Sequence, residues 1–130
     1  MLLEKSENQS IFENEEISYS NLLDSFKDKI LFISKLYSSF WSTLFFYHQN
    51  SNQDLTQLDD IGDQIEKTKK EIDEDFLELQ RLKPSNLKVL KYYSDVLSEV
   101  LNDHDNASKI KGKIKEIKQE YKNDFEKHLM

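Results

Sequence analysis

With 130 residues, 18 Lys+Arg against 25 Asp+Glu and a formal net charge of −7, the chain has the length of one domain and an acidic balance. The absence of cysteine leaves no disulfide framework and no thiolate metal site, and two glycines supply neither a phosphate cradle nor the turns of an all-β fold. A dedicated nucleic-acid binder needs a basic face, which this balance argues against.

An all-α fold remains: an antiparallel bundle of about four helices and no sheet, over 19–48, 54–82, 86–102 and 107–129. Leu, Ile, Lys, Glu, Gln and Asp dominate, which suits helices joined by short connections. Folding at this length buries roughly two-thirds of the unfolded chain's surface, enough for a small core.

Residues 1–16 carry Glu4, Glu7, Glu13, Glu15 and Glu16, with Ile11 and Phe12 as the one apolar pair after Leu3. They read as a flexible acidic N-terminal arm before a helical bundle domain over 17–130. No basic region, apolar stretch and cleavage site follow one another at the start, so no signal peptide is expected.

The first helix opens at Ser18 or Ser20, either of which suits a cap. Leu23, Phe26, Ile30, Ile33, Tyr37, Phe40 and Leu44 follow at steps of 3 and 4, a heptad-like stripe of coiled-coil character. Leu22, Phe32, Leu36, Trp41 and Phe45 widen that stripe, which predicts a central helix with Phe40 and Trp41 packed in the core. The segment 30–47 is the most apolar, yet it holds Lys35 and five hydroxyl residues, Ser34, Ser38, Ser39, Ser42 and Thr43. A membrane span needs about 20 mostly apolar residues. A buried bundle helix, ended by the polar run 48–53, is therefore the reading taken.

The second helix opens at Asn52 or Asp54, with Asp59, Asp60 and Asp63 near its positive end. Its stripe is Leu55, Leu58, Ile61, Ile65, Ile72, Phe76 and Leu79, interrupted at Thr68 and Lys69. Gly62 costs a helix about 1 kcal/mol relative to Ala, so a close helix–helix approach is its expected use. Pro84 ends the helix, because the residue before proline avoids helical dihedrals.

The third helix starts at Ser85 or Asn86 and shows Leu87, Leu90, Tyr93, Leu97, Val100 and Leu101 on one face. A polar turn, Asn102-Asp103-His104-Asp105-Asn106, closes it. The fourth, capped by Asn106 or Ser108, has the stripe Ile110, Ile114, Ile117, Tyr121, Phe125 and Leu129 and seven lysines on its other surfaces. Residues 1–83 hold 17 acids and 9 bases, a balance of −8, while 84–130 hold 8 and 9, a balance of +1. An acidic face of the second helix therefore matches the basic fourth, within or between chains; exposed pairs of that kind contribute about 0–1 kcal/mol each. No period of 20–50 residues stands out, so no internal repeat is expected.

The chemistry-bearing residues do not converge. His48, His104 and His128 have no second ligand at helical spacing apart from ordinary carboxylates and read as solvated or capping side chains. Counted from Asp103 as a calcium loop, positions 5, 6 and 12 fall on Ala107, Ser108 and Ile114, and the pattern fails. Asp59-Asp60 and Asp73-Glu74-Asp75 read as a solvated helix face rather than paired catalytic acids, and no G-x-S-x-G elbow is present. No catalytic residue, cofactor, metal site or small-molecule substrate is expected. The expected partner is a protein or a second copy, met through helices, with no nucleic acid. A membrane enters only through flanking or full-length context, or through the lysine-rich fourth helix on anionic lipid.

The order of features carries a resemblance. Ile17-Ser18-Tyr19, Phe26 and Phe40-Trp41 with Leu44 are followed by Asp54-Leu55, Leu58, Gly62 and Ile65. Leu79, Leu82, Pro84-Ser85-Asn86, Leu90, Tyr93, Leu97 and Val100-Leu101-Asn102-Asp103 complete it. This pattern, over 17–105, resembles the helical segment of the tiny-macrocysts-B-like proteins, large multi-pass membrane proteins of ciliates and amoebae. In that family the segment is intracellular, between membrane spans and a PAS sensor region. The resemblance implies a non-catalytic connector that relays signals on the cytosolic side of a membrane. The chain departs from the family's layout in lacking a convincing span, a mixed α/β sensor domain and a cyclase core, so no catalytic residue is carried over. The positions Phe26, Ile33, Phe40, Trp41, Leu44, Leu58, Gly62, Ile65, Leu90, Tyr93 and Leu97 are expected to serve packing or an interface.

Overall fold

A computed structural model describes the backbone of residues 2–49 and 55–129 and the side chains of 13–48 and 55–129. Among these residues every regular element is a helix, and there is no strand. The helices are α1 (Leu2–Gln49), α2 (Thr56–Leu82), α3 (Leu87–Asp95) with a π-turn over Val96–Val100, and α4 (His104–Leu129). The proposed caps Asn52 and Asp54 lie outside the described residues.

The first boundary differs from expectation. α1 begins at Leu2, not near Ser18 or Ser20, and is 48 residues long. Residues 1–16 contain neither Gly nor Pro, and Leu, Glu, Lys and Gln among them propagate a helix well.

α1 and α2 pair antiparallel. Lys29 Nζ meets Asp75 Oδ2 at 2.8 Å, and Lys83 Nζ reaches Glu16 at 3.2 Å. Phe26, Ile33, Ile72, Phe76 and Leu79 from this hairpin join Val89, Leu90, Val96 and Ile117 in one buried cluster. Both hairpins thus share a single core. The polar gap of the α2 stripe is closed internally: Thr68 is buried, and its hydroxyl donates to the Gln64 carbonyl at 2.7 Å.

Lys83, the residue before Pro84, leaves the helical region with φ −141° and ψ 83°. Asn86 then caps α3, its Oδ1 accepting the backbone N–H groups of Lys88 and Val89 at 3.1 and 3.4 Å. Its Nδ2 donates to the buried Tyr19 hydroxyl at 2.8 Å, so one side chain starts α3 and ties it to α1. Asn86→Ala is expected to lose about 1–2 kcal/mol, measured as a lower urea midpoint at unchanged slope.

The third helix does not run unbroken to residue 102. The Leu101 N–H bonds the Val96 carbonyl at 2.9 Å, a wider ring than an α-turn, and the Asp103 N–H bonds the Leu97 carbonyl at 2.7 Å. Asn102, at φ 55°, takes the left-handed conformation that Asn tolerates better than most residues. Asp103, rather than Asn106 or Ser108, then caps α4: its carboxylate accepts the Asn106 N–H at 3.3 Å and the Asn106 amide at 2.8 Å. α4 consequently starts three residues earlier than expected, at His104.

Gly62 also differs from expectation. A Cβ placed there meets nothing within 4 Å, so no close approach uses this glycine, and Gly112 is equally open. Gly62→Ala and Gly112→Ala are each expected to stabilise the chain by about 1 kcal/mol, read as a higher thermal midpoint.

Candidate interaction surface

The acidic run of α2 is divided by packing. Asp73 accepts the Tyr93 hydroxyl at 2.6 Å, Asp75 pairs with Lys29, and Glu74 is exposed. His48 and His128 are exposed at helix ends, and His104 Nε2 lies 2.7 Å from Asn102 Oδ1. Among the described residues no group of His, Asp and Glu is arranged to hold a metal. Hydrogen bonds from Asn106 hold the Asp103 carboxyl below its usual range, as suits an ionised cap. The described ion pairs join α1 with α2, α2 with itself, and α1 with the residue after α2. None joins α2 with α4, where Lys113 instead donates to the neutral Gln80 at 2.6 Å.

Of the positions proposed for packing or an interface, Phe26, Ile33, Leu58, Leu90 and Leu97 are buried. Phe40, Leu44, Gly62, Ile65 and Tyr93 are half-buried. Trp41 is not in the core: it is 60% exposed, as is Phe45 at 65%. The register of α1 against α3 explains why. Glu16 with Lys83, Tyr19 with Asn86 and Phe26 with Tyr93 are each 67 residues apart, so the two helices run parallel at a fixed offset. Carried along, that offset sets Leu101 about level with Ser34, and α1 continues to Gln49 with no part of α3 opposite. Lys27 lies 5.2 Å from the Tyr92 ring and so marks the α3 side of α1. Trp41, two heptads further on, occupies that same side beyond the end of α3. The result is an open apolar groove lined by Trp41, Leu44, Phe45, Tyr47 and His48.

The opposite end has a matching gap. The α4 stripe is packed on the core through the half-buried Ile110 and Ile114 and the buried Ile117, then continues uncovered through Tyr121, Phe125 and Leu129. Lys111, Lys115, Lys118 and Lys122 follow at steps of 4, 3 and 4 along one flank of that stripe. Periodicity alone could not separate these residues from core, because an apolar stripe looks the same whether its cover lies in the chain or outside it.

Among the described residues no helix is long and apolar enough to cross a membrane. No match was found among curated proteins or among solved structures. The sequence profile of the family described as TmcB, TPR repeats, matches residues 4–124. That match supports the tiny-macrocysts-B-like resemblance. The chain belongs to the TmcB family of TPR repeats, a helical fold whose typical role is non-catalytic protein interaction.

Proposed function

We propose that the chain is a non-catalytic interaction and signal-relay module, a relative of the intracellular helical connector in larger membrane-associated signalling proteins. In this reading residues 17–130 form the packed domain, residues 1–16 are its acidic lead-in, and the whole lies at the cytosolic face of a membrane. The observation that carries the proposal is the single core shared by both hairpins, with aromatic side chains left uncovered at its two ends. A packed core repacks between discrete arrangements rather than deforming smoothly, so a shift of α1 is felt by α4. The test is affinity capture from an extract on the immobilised chain, beside the surface variant Trp41→Ser/Phe125→Ser. Proteins held by the parent and lost with the variant support the reading. Absence of any bound protein, together with a chain that does not self-associate, overturns it.

A second reading rests on the unpaired lysine flank of α4, which suits an anionic lipid surface. Co-sedimentation with phosphatidylserine vesicles decides it. Binding that falls with salt and with Lys118→Glu/Lys122→Glu supports an adaptor role, and salt-insensitive or absent binding ends it.

A further inference from the structure

We infer that the free end of α4 docks, head to tail, into the groove beside Trp41 of a second copy of this chain. The inference deepens the interaction-module reading by naming the partner. Its argument rests on three observations that agree.

The first is that both faces are apolar, uncovered and on different parts of the molecule. Tyr121 is 61% exposed and Phe125 65%, directly beyond Ile117 at 8%. At the far end of α1, Trp41 and Phe45 line a groove whose side ends with α3. Contiguous uncovered aromatic surface marks a contact site more often than scattered exposure does. Neither face can be covered by its own counterpart in the same chain: α4 leaves the bundle beside Ser85, at the Pro84 end of the hairpin, whereas Trp41 lies toward the start of α2.

The second is length. The uncovered part of α4, residues 118–129, spans about 18 Å at 1.5 Å per residue. By the offset of 67, the part of α1 beyond the end of α3 is residues 34–49, 16 residues and about 24 Å, long enough to seat that segment. One helical segment fits within the notch left by the shortness of α3.

The third is charge. Lys118 and Lys122 line one flank of the α4 stripe, and Glu116, Glu120 and Asp124 line the other. The register of Lys29 with Asp75 sets the notch level with α2's first two turns, where Asp59, Asp60 and Asp63 are exposed. The lysine flank turned toward these acids fixes the orientation in which the segment lies in the notch. Because donor and acceptor faces differ, the contact is heterologous and can grow into short chains unless it closes into a ring.

Trp41 is the chain's only tryptophan, so its emission reports the acceptor groove directly. The test is sedimentation velocity and tryptophan emission of the full chain across a dilution series at low and high salt. Expected are concentration-dependent association, a blue shift of Trp41 on association, and weakening by about tenfold or more in high salt or in Lys118→Glu/Lys122→Glu. Phe125→Ser removes the donor and Trp41→Ser the acceptor; both sites are exposed, and circular dichroism verifies that helix content is kept. Each variant alone is expected to be monomeric, and an equimolar mixture is expected to form a one-to-one dimer through the single intact pair of faces. A chain monomeric at all concentrations, self-association by either variant alone, or a mixture that stays monomeric overturns the inference. Extract partners that still depend on Trp41 in a monomeric chain would leave the interaction-module reading standing while removing this partner.

Discussion

Phe26→Ala is expected to cost about 3–5 kcal/mol, the usual range for emptying a buried aromatic site. Phe26 is fully buried at the point where α1 meets the second hairpin. Its ring lies 6.5 Å from that of Tyr93, tilted by 35°, within the cluster that includes Ile72, Leu79 and Leu90. These neighbours come from α2 and α3, so they cannot close the cavity without moving whole elements. Domains of this size hold about 5–15 kcal/mol in total, so the loss takes a large share of what keeps the chain folded. Urea unfolding followed by circular dichroism measures it, as a lower midpoint with the slope unchanged. A single transition is expected in parent and variant, because both hairpins draw on one core. A loss below about 1 kcal/mol, or two separate transitions, would show that the hairpins fold independently.

The helices themselves were legible in the sequence because their signals are local. Pro84 marked the end of α2 and Asn86 the start of α3, and both work through the backbone of their immediate neighbours. The alternation of steps of 3 and 4 from Leu23 to Leu44 is likewise a property of one helix. The start of α1 was misplaced for a related reason. Ser18 and Ser20 suit a cap, but a cap residue acts only where the helix has no better way to continue, and the preceding segment propagates it back to Leu2. The π-turn at Val96–Val100 has no such local marker; it accommodates Leu97, whose side chain is buried while its carbonyl accepts the Asp103 N–H.

The surface was legible only in part. Trp41 and Phe125 continue apolar stripes that are buried elsewhere along the same helices, and a stripe does not state how far its cover extends. That extent is set by where α3 ends along α1 and by how far α4 runs past the core, both features of the whole fold. The same limit hid Gly62, whose spacing suited a close approach but whose neighbours stand more than 4 Å from any added Cβ.

Tyr93→Phe is expected to cost about 1.5–3 kcal/mol near neutral pH and to remove part of the chain's alkaline sensitivity. The Tyr93 ring stacks on Phe76 at 3.8 Å and 7°, which Phe retains, while the hydroxyl donates to Asp73 Oδ1 at 2.6 Å, which Phe cannot. Burial first, and then the bond to Asp73 and the charges of Asp73 and Asp103, push the phenol above its ordinary value of 10.0. A group whose pKa is raised by folding contributes its full stability below the unfolded value and loses it as the pH climbs through that value toward the folded one. The parent is therefore expected to lose stability above pH of about 10, where the unfolded phenol ionises and the folded one resists. Every other ionisable group is common to parent and variant, so the difference between the two curves isolates Tyr93. Urea midpoints taken from pH about 8 to about 11 should converge as the pH rises, the variant falling less steeply. Parallel curves across that range would mean that the Tyr93–Asp73 bond does not couple the phenol's proton to folding. Asp73→Asn, which keeps an acceptor and removes the charge, should fall between parent and Tyr93→Phe, because a neutral acceptor retains about half of a charge-assisted bond.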